Sequence, residues 1–125
     1  MAVKDILLVE DEKMTARLID YRLKAQGYNV THIEDGIEAL EYIRHQTPDI
    51  LILDVMLPGM SGFEILETLK EENGVDLDHL KVIMLTTKSR AEDISRGFKL
   101  GAVEYLSKPF KMDELLLRLN RLIAN

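Results

Sequence analysis

Acids, hydroxyls and one lysine stand directly after short apolar runs in this chain. Glu10 and Asp11 follow Ile6 to Val9, and Asp54 follows Ile50 to Leu53. Thr86 and Thr87 follow Val82 to Leu85, and Lys108 comes just beyond Glu104 to Leu106. Taken singly, each has an ordinary reading: an acid after a strand caps the next helix, a threonine finishes a ladder, and a lysine before proline is solvated. Taken together they pose an electrostatic problem. Two unit charges about 4 Å apart at an effective dielectric near 20 repel by roughly 4 kcal/mol. Glu10, Asp11 and Asp54 carry −3 and Lys108 carries +1, which leaves −2. One divalent cation neutralises that remainder. The candidate ligands are all oxygens, with no clustered His or Cys, so a hard ion is expected, and Mg²⁺ suits a site of few carboxylates and several waters. Mg²⁺ beside a carboxylate and a lysine is a setting for phosphoryl transfer, with Asp54 as the covalent acceptor of an acyl phosphate. The hydroxyl of Thr86 could then bond a phosphoryl oxygen that was absent before, which is the seed of a switch.

These residues work together only if the fold gathers them. Ile6 to Val9, Ile50 to Leu53 and Val82 to Leu85 are aliphatic runs without alternation, as expected for inner parallel strands buried on both faces. Asn29 to Ile33 and Glu104 to Leu106 are mixed or brief and suit positions nearer the sheet edge. Between them, Met14, Leu18, Tyr21 and Ala25 follow one helical face, and Ala91, Ile94 and Phe98 repeat the spacing; both stripes are expected to cover the sheet. Asp35 with Glu38, Ser61 with Glu64 and Ser89 with Glu92 have the form of capping boxes. Gly27 and Gly101 fall where helices should close. A last helix is expected near Lys111 to Ala124, with Leu115, Leu119 and Leu122 as its stripe. In an open parallel sheet the carboxyl ends of the strands share one rim, where ligands bind beside the reversal of strand order.

Composition narrows the classes. The 125 residues are about the length of one domain, and 46% hydrophobic with 30% charged residues describes a globular chain with a core. A balance of 22 acids to 16 bases gives −6, so this domain is not expected to bind DNA directly or to sit on an anionic membrane. The absence of cysteine excludes a disulfide scaffold, a thiolate zinc site, an iron–sulfur cluster and a cysteine nucleophile. Met1 to Lys4 runs directly into a strand-like segment with no signal-peptide architecture, and a cytoplasmic location is expected. His32, His45 and His79 match no metal or phosphohistidine spacing and are given no role.

The motifs resemble those of the response-regulator receiver domain, the phosphorylated half of two-component signalling. They are Leu8-Val9-Glu10-Asp11-Glu12, Ile52 to Gly62 (ILDVMLPGMSG), Leu85-Thr86-Thr87, Gly101-Ala102 and Tyr105-Leu106-Ser107-Lys108-Pro109-Phe110, and the resemblance covers essentially the whole chain as a single domain, 1–125. It implies a doubly wound, flavodoxin-like α/β fold of five parallel strands in order 2-1-3-4-5 with five helices. It further implies that Asp11 and Asp54 bind Mg²⁺ with the backbone carbonyl of Met56, that Glu10 acts mainly through bound water, and that Lys108, before a cis proline, pairs with the phosphoryl group. Thr86 and Tyr105 would form the switch, Tyr105 turning inward as Thr86 moves, and Met56, Lys88 and Thr87 lie where the family varies the lifetime of the phosphate. The phosphodonor would be a histidine kinase or phosphotransfer protein. The output partner is unspecified, and the chain would catalyse part of its own phosphorylation and hydrolysis. Glu104 and Arg118 occupy positions that DNA-binding relatives use for charged pairs across a phosphorylation-linked homodimer, although Ile94 and Val103 replace residues often charged there. Three other readings compete. A haloacid-dehalogenase-type phosphatase wants an acid where Met56 stands. A nucleotide-binding flavodoxin-like protein wants a glycine-rich phosphate loop, which the chain lacks. A phosphate-independent receiver-like scaffold would typically have lost Asp11, Asp54 or Lys108.

Overall fold

The structure, a computed structural model, describes residues 4–72 and 78–123. Strands β1 (Asp5–Val9), β2 (Asn29–Ile33), β3 (Ile50–Leu53), β4 (Lys81–Thr86) and β5 (Ala102–Ser107) alternate with helices α1 (Lys13–Ala25), α2 (Gly36–His45), α3 (Gly62–Glu71), α4 (Ala91–Lys99) and α5 (Met112–Ile123). All neighbouring strands run parallel in the order β2-β1-β3-β4-β5, as expected from the resemblance.

The unbroken aliphatic strands split by parity between two cores. Leu7, Val9, Leu51, Leu53, Val82 and Met84 face α2 and α3, where Leu40, Ile43, Phe63 and Leu66 receive them. Ile6, Leu8, Ile50, Ile52, Ile83 and Leu85 face α1 and α5, where Ile19, Leu23, Leu115 and Leu119 close the second layer. Side chains alternate across a strand, so a run with both faces buried must be apolar at every position. β2 and β5 lie at the edges. β5 extends beyond the expected Glu104 to Leu106 at both ends, with Ala102 paired to Val82 and Ser107 to Thr86, and Val103 is an extra residue near its start, since Ile83 pairs with Glu104; this irregularity hides the start of the strand.

Two helical expectations are corrected. Met14, Leu18 and Tyr21 are 81%, 49% and 71% exposed, and Ala25 is exposed as well, whereas Ala16, Ile19 and Leu23 are the buried face of α1. The two stripes start two residues apart, about 200° around the helix, so the apolar spacing was real and the face was the opposite one. In α4, Ala91 is exposed and Phe98 47% exposed, Gly97 alone is buried, and of the expected stripe only the half-buried Ile94 packs against the core. α5 does present Leu115 and Leu119, with Leu122 half-buried; Ala124, its expected end, and Met1 to Val3 lie outside the described residues.

Helix starts follow the caps in two cases of three. Asp35 accepts from the Glu38 N–H, and Ser61 and Glu64 form a full reciprocal box. α4 starts one residue later than Ser89 implies: its cap is Arg90, whose N–H donates to the Asp93 carboxylate at 3.3 Å. The Ser-Arg-Ala-Glu-Asp run offers two acids one residue apart, and Asp93 takes the bond. Gly27 and Gly101 close α1 and α4 with φ of 93° and 110°.

The α2 start also fixes the loop that follows the candidate acceptor strand. A Cβ on Gly36 would lie 1.9 Å from the Met60 carbonyl oxygen, and the Gly36 N–H donates to the Pro58 carbonyl at 3.0 Å. Gly36→Ala should therefore cost about 2–3 kcal/mol by overpacking against backbone. Urea denaturation at a constant m-value checks it, and an unchanged midpoint would remove the argument.

Candidate functional site

Four strands deliver their functional residues to one rim. β1 ends into Glu10 and Asp11, β3 into Asp54, β4 in Thr86, and β5 into Lys108. Their backbones are fixed by bonds that continue the ladders: the Glu10 N–H donates to Ile33, that of Asp54 to Val9, and that of Lys108 to Thr86, at 3.1, 3.1 and 2.9 Å. Gly62 packs behind the loop that follows β3, since a Cβ there would stand 2.3 Å from the Asp54 carbonyl oxygen.

Glu10 is 1% and Asp54 6% exposed, while Asp11 faces solvent. One carboxylate oxygen from each of the three lies within 4.8 Å of the others. The Lys108 ammonium bridges the two buried acids, donating to Glu10 Oε1 and, at 2.9 Å, to Asp54 Oδ2. The remaining oxygens take main-chain donors: Glu12 N–H to Glu10 Oε2 and Met56 N–H to Asp54 Oδ1, both at 3.1 Å. Burial pushes the Glu10 carboxyl above its ordinary value, and Asp54 adds to that, against the bonds from Lys108 and the Glu12 N–H. Burial alone would pull Lys108 down, but its bonds to Glu10 and Asp54 outweigh it and hold the ammonium above its usual value. Such a set, two buried acids sharing a single cation with one exposed acid beside them, fits a further divalent oxygen-seeking ion by charge and donor type.

An open cleft of about 590 Å³ is lined by Glu10, Asp11, Asp54, Met56, Thr87 and Lys108 among others. Met56 is 54% exposed, and the Thr87 hydroxyl lies 3.8 Å from its sulfur, so these two residues frame the opening. Thr86 and Lys88 do not line it. Thr86 is fully buried and its Oγ1 accepts the Lys88 N–H at 3.1 Å, while the Lys88 side chain is exposed. Tyr105 lies inward, 9% exposed, and its hydroxyl donates to the Lys88 carbonyl. The main-chain unit at Lys88 thus links the two expected switch residues. Sequence reasoning missed His32, whose Nε2 is 2.7 Å from the Glu10 carbonyl oxygen; it comes from the neighbouring strand, 22 positions away, and no motif marks it. Glu104 and Arg118 bond one another within the chain at 2.5 Å.

Burial, with the charges of Asp93 and Asp54, pushes the Tyr105 phenol from 10.0 up to about 12. A raised acid pKa in the folded state means stability that is present below pH 10 and lost as pH rises through 12, on the order of 2 kcal/mol. Ultraviolet titration should show two of the four tyrosines ionising late, Tyr105 and Tyr28, whose phenol is also pushed up by burial. Tyr105→Phe should remove the Tyr105 share of the late ionisation, leaving that of Tyr28, and flatten the alkaline loss of stability; a late amplitude undiminished in the variant would show that Tyr105 does not contribute to it.

A doubly wound parallel sheet with an acid-and-lysine cleft at its carboxyl rim defines a flavodoxin-like switch domain. The family model described as the response regulator receiver domain matches residues 6–120, and the chain belongs to that family, whose standard role is the phosphorylation-activated switch of two-component response regulators. It is 40% identical over 118 residues to TcrX of Mycobacterium tuberculosis, whose name gives it as a probable transcriptional regulatory protein, covering 94% of this chain and 49% of that one. It is 37% identical over 113 residues to the DNA-binding response regulator MtrA of the same species, covering 90% and 47%. The chain therefore spans about half the length of these relatives. The receiver domain of the sensor histidine kinase PA1611 of Pseudomonas aeruginosa, solved with magnesium in its active-site cleft, superposes with a TM-score of 0.85 at 31% identity, covering 99% of this chain and 100% of that one. The non-phosphorylated HemR receiver domain of Leptospira biflexa superposes at 0.87 with 34% identity, covering 98% and 95%. Among the described residues, no helix is long and apolar enough to cross a membrane.

Proposed function

We propose that Asp54 is the phosphoacceptor of this receiver domain and that the phosphoryl group comes from a phosphohistidine on a kinase or phosphotransfer protein. The observation that carries the reading is the Lys108 ammonium held between Asp54 and the buried Glu10 at the rim of the cleft. Asp11 and Asp54, with the Met56 carbonyl and with Glu10 behind them, are the groups that would hold Mg²⁺. When bound, the ion supplies charge neutralisation for phosphoryl oxygens.

The rest of the chemistry belongs to the chain. An Asp54 carboxylate oxygen attacks phosphorus, forming an O–P bond as the N–P bond to the donor imidazole breaks and its electron pair returns to the ring. Lys108 keeps the acceptor oriented and offers N–H donors to the incoming oxygens. Met56 and Thr87 frame the approach of the water that later hydrolyses the acyl phosphate. The Thr86 hydroxyl then exchanges its local partner for a phosphoryl oxygen, and the Lys88 unit passes that change to Tyr105 and the face of α4, β5 and α5, which addresses the output partner. An adjacent hollow of about 360 Å³ is lined by Leu18, Pro109 and Phe110 and shares Thr87 and Lys108 with the cleft, which suits it to a donor domain resting over Asp54. Pairing of two copies through the output face would require Glu104 and Arg118 to exchange their bond within the chain for one across the dimer.

Acetyl phosphate with Mg²⁺ tests the reading. Intact mass should show a single phosphoryl adduct that is lost in base or hydroxylamine and does not form when the metal is chelated. Absence of any adduct in Mg²⁺ would refute it.

A further inference from the structure

Tyr105 can lie inward only because of what is missing opposite it. Gly97 is the one buried residue of α4, and an ideal Cβ built on it would stand 2.8 Å from Tyr105 Cε2 and 2.9 Å from Cδ2. Real Cβ atoms do not approach a ring that closely. The same Cβ would meet Met84 at an ordinary 3.6 Å, so the conflict is with the tyrosine ring alone among its near neighbours. The ring is flanked by the tilted Phe98 ring, 6.3 Å away between centroids, and its hydroxyl is held on the Lys88 carbonyl. On its outer side α4 is tethered by exposed contacts: Arg96 is bound to Glu67 at 2.5 Å and lies 4.5 Å over the Phe63 ring, and Lys70 Nζ donates to the Lys99 carbonyl at 3.2 Å. Glycine inside a helix is otherwise unfavourable, and here its φ is not in the left-handed region, so backbone conformation does not require it.

We propose that Gly97 is a positioning residue of the switch: by lacking a Cβ it forms the slot that admits the Tyr105 ring, and any side chain there drives the ring outward. The inference rests on the reading of Tyr105 as a switch residue and adds the element that sets its resting position. One glycine thereby biases the output face before any phosphate arrives.

The test follows Tyr105 by NMR of ζ-¹³C-tyrosine in the full chain, its signal assigned by loss in Tyr105→Phe. In Gly97→Ala the phenol should titrate about one pH unit or more below wild type, toward the ordinary value near 10, and cross-relaxation between the Tyr105 and Phe98 rings should vanish. Thermal melts separate this from a general disturbance of the helix. With Tyr105 present, Gly97→Ala should not raise the melting temperature, whereas in a Tyr105→Ala background it should, because alanine is the better helix former once the ring is gone. Unchanged titration and ring contacts, or a rise in melting temperature of equal size in both backgrounds, would overturn the proposal. Beryllofluoride with Mg²⁺ on the wild type distinguishes the underlying reading: a Tyr105 signal that ignores the phosphate mimic removes the switch role, while the slot is judged by Gly97→Ala alone.

Discussion

Asp54→Ala is expected to lose phosphoryl incorporation from acetyl phosphate and Mg²⁺ entirely, while the protein stays folded. No neighbour is as well placed. Glu10 is 1% exposed against 6% for Asp54, so of the two acids that share Lys108 it is the less able to present an oxygen to an incoming phosphorus. Asp11 is exposed at the edge of the cleft and is the acid that an altered result would implicate. The charge arithmetic also predicts a separation of activity from stability. Removing Asp54 takes the cluster from −2 to −1 and leaves Lys108 paired with Glu10, so stability in metal-free buffer should hold or rise, and stabilisation by added Mg²⁺ should largely disappear. Asp54→Asn, which keeps an acceptor for the Met56 N–H, should behave in the same way. Mass spectrometry reads the first part and denaturation with and without Mg²⁺ the second. Labelling at the wild-type level in both variants would move the acceptor to another residue.

What could be read from the sequence, and what could not, follows from the range of the interactions involved. Ile50 to Leu53 announce a strand because every side chain must be apolar when both faces are covered, and that requirement is local. The rim residues could be placed for the same reason: the carboxyl end of each such strand is a fixed point, and parallel order brings all the ends together. The face of α1 was not local information. Met14, Leu18 and Tyr21 and the true inner stripe of Ala16, Ile19 and Leu23 both have helical spacing, and only the position of the sheet selects between them. Of that outer stripe, Leu18 lines the hollow beside the cleft. The cap of α4 was ambiguous by one residue for want of a rule choosing between Glu92 and Asp93. The contacts of His32 with Glu10 and of Gly97 with Tyr105 join different elements, and nothing in either residue's own neighbourhood signals them. The acid cluster was legible as a set of charges needing neutralisation. That Lys108 would neutralise Glu10 as well as Asp54 was not, because the sharing depends on where the β5 rim places one ammonium.

Lys108→Met should expose that sharing most directly. The methionine retains the apolar stem, so the change removes the ammonium with little loss of packing. Lys108, Glu10 and Asp54 have side chains 13%, 1% and 7% exposed, and withdrawing the cation leaves two buried carboxylates facing one another. Breaking a buried pair by removing one partner costs about 3–5 kcal/mol, so metal-free buffer should show a loss near the lower end, moderated by the open cleft. The deficit should depend on pH with a definite sign. The fold already raises the Glu10 carboxyl through burial, and without Lys108 it must rise further. A carboxyl raised in the folded state favours the fold while protonated, below its unfolded value, and disfavours it as pH rises through the folded value. The variant should therefore approach wild-type stability in acid and fall behind as the solution is made neutral. Mg²⁺ should restore part of the difference, since a ligand at 100 times its Kd adds about 2.7 kcal/mol, and the gain should exceed that in the wild type because the ion then supplies the missing counter-charge. Metal binding survives on this account, while the response of Tyr105 to beryllofluoride is weakened, because no ammonium draws the phosphoryl oxygens toward the β5 rim. A variant as stable as wild type at neutral pH without metal, or one that responds fully to the mimic, would show that Lys108 holds neither the acids nor the phosphoryl group.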